Sequence, residues 1–403
     1  MLYIKRHLEE PFLNMSKAFP VVLITGPRQV GKTTMLRKIA SNDRKYVTLD
    51  DPMIKKTAKT DPALFLQRYQ PPVLIDEIQY APELLPYIKM HVDEEKRKGD
   101  FWLTGSQLFH MMKNVGESLA GRVGIVNMLG LSQSELSGRK NVPYSTTFES
   151  LKQKDFHPVN VVDIFNRIYK GSMPALYETE QDIENYYASY MSTYLQRDIK
   201  DLTQVADELS FLRFMQVCAA RTSQMLNYSS LAKDAGITSP TAKQWLSVLI
   251  TSGIVKLIQP FFNNSLKRIV KAPNLYFMDT GLCAYLTRWN NPEALEISAM
   301  SGAFFETFVV SEIIKSFYNA GKQPPIYYYR DSEQKGIDLI IEQNGVLYPI
   351  EIKKTANPSQ KYTKNFSVLE KTGQKTGTGN VICLVNDILP ADRKNFFVPV
   401  SLI

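Results

Sequence analysis

The chain has 403 residues, 44% of them hydrophobic, which is enough to bury several cores, and we predict three domains. A formal net charge of +8 favours polyanionic partners such as DNA, although proteins that bind no polyanion also carry such an excess over a surface this large. Three scattered cysteines, without a CxxC pair, argue against both a disulfide framework and a zinc site. The sequence has no apolar run of the roughly 20 residues that a membrane helix needs and no signal-like start, so we expect a cytoplasmic protein without membrane contact.

The first informative segment joins an apolar run, Val21 to Thr25, to a glycine-rich loop. The run predicts a buried parallel strand, and the loop fits the P-loop pattern GxxxxGK[ST], in which backbone N–H groups and a helix start surround phosphate groups. In this pattern Lys32 reaches the β- and γ-phosphates and Thr33 ligates Mg²⁺. The sequence therefore predicts ATP and Mg²⁺ as ligands of the loop residues Gly26, Pro27, Arg28, Gln29, Val30, Gly31, Lys32, Thr33 and Thr34.

A second apolar run, Val73 to Ile75, ends in two carboxylates. Asp76 is the candidate for holding Mg²⁺ through water, and Glu77 is the candidate for polarising the water that attacks the γ-phosphate. Acidic residues are common where strands end, so this assignment depends on the P-loop upstream. Together the two segments predict hydrolysis as well as binding.

Two hydroxyl residues, Thr104 and Ser106, follow the predicted strand Phe101 to Leu103. They are candidates for sensing the γ-phosphate, because the carboxyl ends of neighbouring parallel strands meet at one edge of a sheet. Ser106 is also suited to cap a helix that begins near Leu108. The two interpretations are compatible.

Arg122 precedes the last predicted strand of this region. It is a candidate arginine finger that acts on the nucleotide of a neighbouring subunit in a homo-oligomer. A solvated arginine or an ordinary salt bridge is the alternative.

These segments alternate between strand and helix patterns, which predicts an α/β domain at residues 1–150 with a parallel sheet covered on both faces. Nucleotide is expected at the carboxyl ends of the strands. The further predicted strands are Tyr46 to Leu49, Phe101 to Leu103, Gly124 to Met128 and a weaker one near Val142, with helices near 33–41, 82–98 and 106–119.

The next domain, at residues 151–290, begins with a helical pattern from about Phe148 to Arg221 that includes a tyrosine-rich stretch around Tyr187 and Tyr190. A turn between helices is predicted at 171–174. The adjacent Arg197 and Asp198 are candidates for interdomain contact or nucleotide sensing, with a surface ion pair as the alternative.

Residues 229–278 predict a helix-turn-helix followed by a hairpin, the outline of a winged helix. The helices end at Gly236 and begin again near Thr238, and the hairpin arms are 254–260 and 268–271. Winged helices contact either DNA or protein, so DNA is one of two interpretations. The candidates for base contact are Thr241, Lys243, Gln244 and Ser247, and those for phosphate contact are Lys267, Arg268 and Lys271.

Near the C-terminus, Asn344-Gly345 separates two apolar runs and predicts a type I′ hairpin. If the two residues form the loop, Asp338 lies opposite Glu351, and Lys353 projects from the same face. Directly opposed carboxylates need compensation, for which a divalent cation is suited. The pattern predicts the D…ExK site of PD-(D/E)XK nucleases, with Asp338 and Glu351 as metal ligands and Lys353 orienting or activating water.

The element order around this hairpin predicts a restriction-endonuclease-like α/β domain at residues 291–403. Glu306, on a predicted helix over 300–319, is an extra acidic candidate for the metal site. The other predicted elements are a strand at 326–330, a helix near 358–372 and a strand at 381–385. The alternatives are a nuclease-like fold that binds without cutting, and a Glu–Lys cross-strand network in place of a metal.

Several motifs in order resemble a widespread bacterial and archaeal group of AAA+-type ATPases that carry a C-terminal domain of unknown function. They are GPRQVGKTT, LIDEIQ, LTGSQ, LAGR and YLQRDI. The resemblance extends over nearly the whole chain and implies an AAA+-like P-loop domain followed by helical and C-terminal parts. Our leading hypothesis is a Mg²⁺-dependent ATPase that controls a DNA-directed, nuclease-like domain. The alternative is a non-cleaving, ATP-dependent switch that binds DNA or protein.

Overall fold

The computed structural model describes residues 3–105, 119–155, 157–194, 208–262, 272–331, 333 and 335–403. No helix within these ranges is both long enough and apolar enough to cross a membrane.

A five-stranded parallel sheet forms the N-terminal region, and its strands match the predicted ones to within a few residues. They are β1 (Val21–Thr25), β2 (Lys45–Thr48), β3 (Val73–Asp76), β4 (Phe101–Gly105) and β5 (Val123–Asn127). Their spatial order is β2-β3-β4-β1-β5. The weaker strand candidate near Val142 is irregular coil in the structure.

Helices cover both faces of this sheet because its central strands are apolar on both sides. Val21 and Leu23 of β1 pack into one cluster, and Val22 and Ile24 pack into another on the opposite face. The helices are α1 (Glu9–Ala18), α2 (Lys32–Ile39), α3 (Pro52–Thr60), α4 (Pro62–Arg68) and α5 (Leu84–Glu95). Side chains of α3, α4 and α5 join the first cluster, and those of α1 and α2 join the second. The predicted helices near 33–41 and 82–98 are confirmed, while nearly all of the one at 106–119 lies outside the described residues.

The middle of the chain is helical within its described parts, as predicted. Its helices are α6 (Gln133–Leu136), α7 (Phe148–Lys152), α8 (Val161–Lys170), α9 (Ala175–Glu178), α10 (Ile183–Tyr194) and α11 (Glu208–Ala220). Residues 171–174 connect α8 to α9, where the turn was expected. The tyrosines of α10 form a packed face, since Tyr187, Tyr190 and Tyr194 are buried.

Two helices and a small antiparallel sheet follow. Helix α12 (Tyr228–Ala235) ends at Gly236, whose φ of 71° is left-handed, and α13 (Ser239–Thr251) is capped by Thr238. The strands β6 (Gln224–Met225), β7 (Val255–Ile258) and β8 (Asn274–Phe277) lie in the order β6-β8-β7. The partner of β7 is therefore β8, farther along the chain than the predicted second arm at 268–271, which lies outside the described residues. The helix-turn-helix segment matches the prediction, and the winged-helix interpretation stays a prediction.

The C-terminal region contains three helices and a seven-stranded mixed sheet. The helices are α14 (Thr280–Leu286), α15 (Pro292–Ile297) and α16 (Ser301–Tyr318). The strands are β9 (Ile326–Arg330), β10 (Gly336–Gln343), β11 (Val346–Ile352), β12 (Lys375–Thr376), β13 (Asn380–Cys383), β14 (Leu389–Pro390) and β15 (Phe396–Pro399). The order is β14-β15-β13-β11-β10-β9, and β12 pairs with β11. A 3₁₀ helix spans Gln360–Thr372, where the sequence predicted a helix.

The hairpin between β10 and β11 has the predicted turn and register. Asn344 and Gly345 both have positive φ, 53° and 73°, as a type I′ turn requires. Gln343 pairs with Val346, so the register continues outward to set Asp338 against Glu351.

One hydrophobic cluster of buried side chains connects all three predicted regions, running from Leu8 in the N-terminal part to Ile403. The cluster includes one face of the N-terminal sheet, the tyrosine face of α10, most of α16 and one face of the C-terminal sheet. The three regions therefore pack against one another and are not separated by linkers. The domain boundaries at 150 and 290 stay predictions.

Candidate functional site

The P-loop turns sharply at the carboxyl end of β1, and its glycines make that turn possible. Gly26 has a φ of 143° and Gly31 a φ of 91°, both disfavoured for residues with a side chain. A Cβ atom at Gly26 would lie 1.9 Å from the carbonyl oxygen of Met128. Because glycine has no side chain, the loop can pass this close to the backbone that follows β5. Helix α2 begins at Lys32, the residue after Gly31.

Lys32 and Thr33 are the first two residues of α2, directly after the loop. The buried Lys32 Nζ donates to the carbonyl oxygens of Gly26 and Pro27, at 2.8 and 2.7 Å. Thr33 Oγ1 donates to Asp76 Oδ1 at 2.8 Å, which joins the loop to the end of β3. Gly31 and Thr34 lie on either side of this pair, and Thr34 is exposed.

The buried Asp76 carboxylate is bonded only to hydroxyl groups among its described partners. It accepts hydrogen bonds from Thr33, from Thr104 Oγ1 and from the hydroxyl of Tyr46, the last at 3.1 Å. Burial, followed by the charge of Asp76, raises the pKa of Tyr46 to about 12. A threonine hydroxyl beside a carboxylate is an all-oxygen donor set, so these residues fit Mg²⁺.

Glu77 follows in a left-handed backbone conformation, with a φ of 59° that few residues other than glycine adopt. Its N–H donates to Thr104 Oγ1 at 3.0 Å, and its carboxylate accepts a hydrogen bond from the Gln79 amide. Thr104 therefore links Asp76 and Glu77, and its role as a sensor stays a prediction. Ser106 lies outside the described residues.

The remaining loop residues contact parts of the chain that the motif does not include. Gln29 Oε1 accepts a hydrogen bond from the Tyr186 hydroxyl at 2.7 Å, and Val30 O accepts one from Arg6 Nη1 at 2.6 Å. Pro27 packs against Gly253, where a Cβ would lie 2.9 Å from Pro27 Cδ. Arg28 is partly buried beside Tyr80.

Sequence reasoning missed Arg6. Its buried side chain also pairs with Glu135 Oε1 at 2.9 Å and donates to Leu129 O at 2.8 Å. Burial raises the pKa of Glu135, but the Arg6 charge and backbone donors outweigh it, so the net shift is downward. The capping box of Ser132 and Glu135 was a local signal in the sequence, whereas nothing near Arg6 indicates its partner.

Arg122 lies at the amino ends of the strands, whereas the P-loop lies at their carboxyl ends. It precedes β5, whose first residue pairs with Val21 at the start of β1, whereas the P-loop follows the end of β1. Its guanidinium forms a two-pronged ion pair with Asp93, with Nε–Oδ1 and Nη2–Oδ2 distances of 2.5 and 3.0 Å. Arg122 therefore cannot act on the nucleotide of its own chain, and action on a neighbouring subunit stays a prediction.

The C-terminal carboxylates meet as the register predicts, with Lys353 between them. Lys353 Nζ lies 3.1 Å from Asp338 Oδ2 and 2.7 Å from Glu351 Oε1. Asp338 Oδ2 also accepts from the backbone N–H of Ile352 at 2.8 Å. Burial lowers the pKa of Lys353, but the two carboxylates outweigh it and raise the pKa overall.

The negative charges of two acidic groups in this cluster, Glu351 and Glu306, are not fully compensated by nearby positive charge. Glu351 Oε2 is buried with no hydrogen-bond partner in the described part of the chain. Burial, and then the charge of Asp338, raises the pKa of Glu351 to about 7 and that of Glu306 to about 8. Glu306 Oε1 accepts a hydrogen bond from the buried Tyr276 hydroxyl at 2.7 Å.

The donor chemistry of this cluster fits a cation in part. An unpartnered carboxylate oxygen and a second carboxylate across the hairpin are suitable hard ligands. Lys353, however, already bridges the two, as in the cross-strand network considered from the sequence. Among the described residues no group of three or more His, Cys, Asp or Glu side chains is placed to hold a metal ion, so the site that combines Asp338, Glu351 and Glu306 stays a prediction.

On the helix-turn-helix segment, Lys243 and Gln244 are exposed on α13, while Thr241 and Ser247 are partly buried. The predicted phosphate contacts Lys267, Arg268 and Lys271, and the pair Arg197 and Asp198, lie outside the described residues.

Three family models match successive parts of the chain: an AAA domain at residues 18–137, a domain of unknown function (DUF8612) at 162–293 and another (DUF4143) at 301–403. Together with the P-loop geometry, the first match defines the N-terminal region as a P-loop ATPase domain. The C-terminal match agrees with the resemblance in naming a domain of unknown function.

Similar whole chains carry little functional description. Uncharacterized proteins of Mycobacterium bovis and Mycobacterium tuberculosis are each 28% identical over 343 residues, which is 84% of this chain and 71% of theirs. Among solved structures, a Walker-type ATPase of Pyrococcus abyssi covers 70% of this chain and 96% of its own, with 14% identity and a TM-score of 0.40. A signal-transduction ATPase with a tetratricopeptide repeat sensor from Pyrococcus horikoshii matches 79% of this chain and 48% of its own, with 13% identity and a TM-score of 0.29.

Proposed function

We propose that the protein binds ATP with Mg²⁺ and hydrolyses it. The observation that carries this proposal is the convergence of Lys32, Thr33, Asp76, Glu77 and Thr104 at one edge of the parallel sheet. These residues come from three separate segments, and each has the chemistry that phosphoryl transfer to water needs.

Each residue has a separate task in this proposal. Lys32 exchanges its bonds to the loop carbonyls for bonds to the phosphates, and the loop N–H groups hold the same phosphates. Thr33 and Asp76 hold Mg²⁺, which neutralises phosphate charge when bound. Glu77 accepts a hydrogen bond from the attacking water, and Thr104 fixes the positions of both acidic residues.

Replacing Lys32 by alanine tests the proposal. We expect Lys32→Ala to lose ATP binding measured by calorimetry, and turnover measured by phosphate release. Lys38→Ala is a matched control, because Lys38 is an exposed lysine on the same helix. If Lys32→Ala and Lys38→Ala hydrolyse ATP equally well, the P-loop is not the catalytic centre.

We also propose that the protein assembles into a homo-oligomer in which Arg122 reaches the nucleotide of a neighbour. Its place at the amino ends of the strands, away from the P-loop of its own chain, supports a role in trans, for which its exposed ion pair with Asp93 has to open. Turnover per chain should then rise with protein concentration and should fall far more in Arg122→Ala than in Asp93→Ala. Equal turnover of the two variants at all concentrations would remove Arg122 from the mechanism.

A second proposal concerns the C-terminal carboxylates, which we assign to Mg²⁺- or Mn²⁺-dependent cleavage of DNA. The buried, unpartnered Glu351 Oε2 and the raised pKa of Glu351 favour it, because burial and Asp338 disfavour the bare negative charge that a cation would neutralise. The exposed Lys243 and Gln244 and the net charge of +8 favour DNA as the polyanion.

Plasmid incubated with the protein, Mn²⁺ and ATP tests the second proposal. Nicking should disappear in Glu351→Gln and persist in Glu293→Gln, which changes an exposed glutamate outside the cluster. If neither the wild type nor either variant cuts, while ATP alters the DNA affinity measured by gel shift, the non-cleaving switch is the correct alternative. ATPase activity that is insensitive to DNA, with no DNA binding, would favour a protein partner.

A further inference from the structure

A cavity of about 640 Å³ lies away from both candidate sites, where three distant stretches of chain meet. One wall is the segment 132–142 that follows the ATPase sheet, and a second is formed by α7 and the residues after it. Glu312 and Ser316 of α16, with Leu402 and Ile403, form the third. The family models at 18–137 and 301–403 each contribute to its lining, and the remainder comes from the segment between them.

Two cations in this cavity have no ionic partner among the described residues. Arg139 Nη1 donates to the carbonyl oxygens of Asp155 and Ser401 at 3.1 and 2.8 Å, and its buried Nε has no described partner. Lys154 Nζ donates to Leu402 O at 3.1 Å. Because carbonyl oxygens carry only partial charge, both cations keep an unbalanced positive charge in a partly enclosed space.

The nearby acidic side chains supply that balance only in part, since Glu312 and Asp155 raise the pKa of Arg139 but are outweighed by burial and Arg167. Glu312 lines the cavity, but its Oε1 holds Lys315 at 2.8 Å and its Oε2 accepts from the N–H of Gln133 at 2.7 Å. Asp155 is exposed. Lys140 and His157 add further basic groups to the lining, and Arg167 borders a smaller adjoining cavity that also contains Arg139.

The pKa values of the two cations also indicate that their positive charges are not fully compensated. Burial, and then repulsion by Arg139, lowers the pKa of Lys154 to about 8. Burial, and then repulsion by Arg167, lowers the pKa of Arg139. An anion between these groups would offset both effects, and serine hydroxyls such as those of Ser134 and Ser150 line the same space.

We propose that this cavity binds a small phosphate-bearing anion that bridges the ATPase region to the C-terminal domain. Phosphate has several acceptor oxygens that guanidinium, ammonium and hydroxyl donors can share. The volume lies within the range of about 300 to 1,000 Å³ that is typical of small-molecule sites, so it accommodates either free phosphate or a nucleoside phosphate. The ligand is separate from the ATP proposed for the P-loop.

Calorimetric titration of the full chain carrying Lys32→Ala tests the proposal, because that substitution is designed to remove nucleotide binding at the P-loop. Inorganic phosphate, pyrophosphate and AMP are titrated separately. We expect saturable binding whose Kd rises about tenfold or more when Lys154→Gln is added, since a lost charge-assisted contact has that scale. Lys152→Gln is the matched control, because Lys152 is an exposed lysine on α7 that does not line the cavity.

Tighter binding of AMP than of phosphate or pyrophosphate would assign a nucleoside phosphate, and the reverse would assign the free anion. Arg139→Gln should weaken the same binding, and thermal melting without ligand checks that each variant is folded. The proposal is overturned if none of the three probes binds, or if Lys154→Gln and Lys152→Gln bind them equally.

Discussion

The two candidate sites are both built on interior strands of a sheet, yet their charges are balanced in different ways. At the P-loop, Asp76 is bonded to hydroxyl groups and Lys32 to carbonyl oxygens, so the charged groups have neutral partners at short range. At the C-terminal cluster, Asp338 and Glu351 share one lysine, and Glu306 depends on a tyrosine hydroxyl. The arrangement of charged groups at the first site depends on backbone geometry, whereas at the second site it depends on how one lysine balances the carboxylates.

The largest expected effect concerns catalysis at the first site. Replacing Glu77 by glutamine keeps the shape of the side chain but removes its charge, so ATP should still bind while turnover falls roughly 10²- to 10³-fold. Phosphate release and calorimetry measure the two quantities separately. Glu83→Gln, at an exposed position before α5, should behave as the wild type, and equal turnover in both variants would contradict the role of Glu77.

Backbone geometry at the first site is tested by Gly26→Ala. The added Cβ would meet the Met128 carbonyl oxygen at 1.9 Å, so the loop has to move, and we expect a loss of roughly 2 to 4 kcal/mol in stability together with loss of ATP binding. Gly373→Ala introduces a residue at positive φ in open space and isolates the cost of backbone strain alone. Urea denaturation that shifts equally in both variants would show that the contact with Met128 is unimportant.

The charge balance at the second site predicts that the free energy of unfolding depends on pH. The folded-state pKa values of Glu306 and Glu351 are raised to about 8 and about 7 from 4.5, so their protonated forms stabilise the fold below pH 4.5. That contribution is lost as the pH rises towards 8, at up to about 1.4 kcal/mol per pH unit for each retained proton. Urea denaturation in EDTA should therefore give a shallower pH slope for Glu306→Gln than for the wild type.

The exposed Glu293→Gln should keep the wild-type slope. If Glu306→Gln keeps it too, the carboxylates of the cluster are not under electrostatic strain, and the contrast between the two sites fails. Added Mg²⁺ should reduce the slope in the wild type, because a cation offsets the charge that burial and Asp338 disfavour.

The smallest expected effect concerns the contact between the P-loop and the segment after α13. A Cβ at Gly253 would lie 2.9 Å from Pro27 Cδ. Because that carbon is bonded to the backbone nitrogen of Pro27, the P-loop has to shift by a few tenths of an ångström, and Gly253→Ala should change the Kd for ATP by a few-fold. Gly373→Ala, with a similar positive φ and nothing within 4 Å, should leave the Kd unchanged. An identical Kd for ATP in both variants would show that contact with the segment after α13 does not affect nucleotide binding at the P-loop.

The sequence predicted most strongly where the chemistry is local. Gly26 to Thr34 is a continuous motif, and Asn344-Gly345 specifies one turn, so the loop and the hairpin register followed from neighbouring residues. Helices α3 and α4 were missed, although Asp51-Pro52 and Asp61-Pro62 are standard start signals that the structure shows as side-chain caps.

Long-range contacts could not be predicted from one sequence. The ion pair of Arg6 with Glu135 and the bond from Tyr186 to Gln29 join residues far apart in the chain, and no local pattern specifies such partners. The position of Lys353 between two carboxylates followed from strand alternation, but whether a lysine or a metal balances them depends on distances that spacing alone does not give.

The Arg6 side chain also bears on how the protein can be divided. A fragment trimmed to the AAA match at 18–137 would contain Glu135, Leu129 and Val30 but would lack the guanidinium that all three contact. A buried carboxylate without its cation costs about 3 to 5 kcal/mol, which is a large part of the stability of a single domain. The smallest autonomous fragment with the P-loop therefore has to begin upstream of α1, and truncation at residue 18 should yield an insoluble or unfolded product.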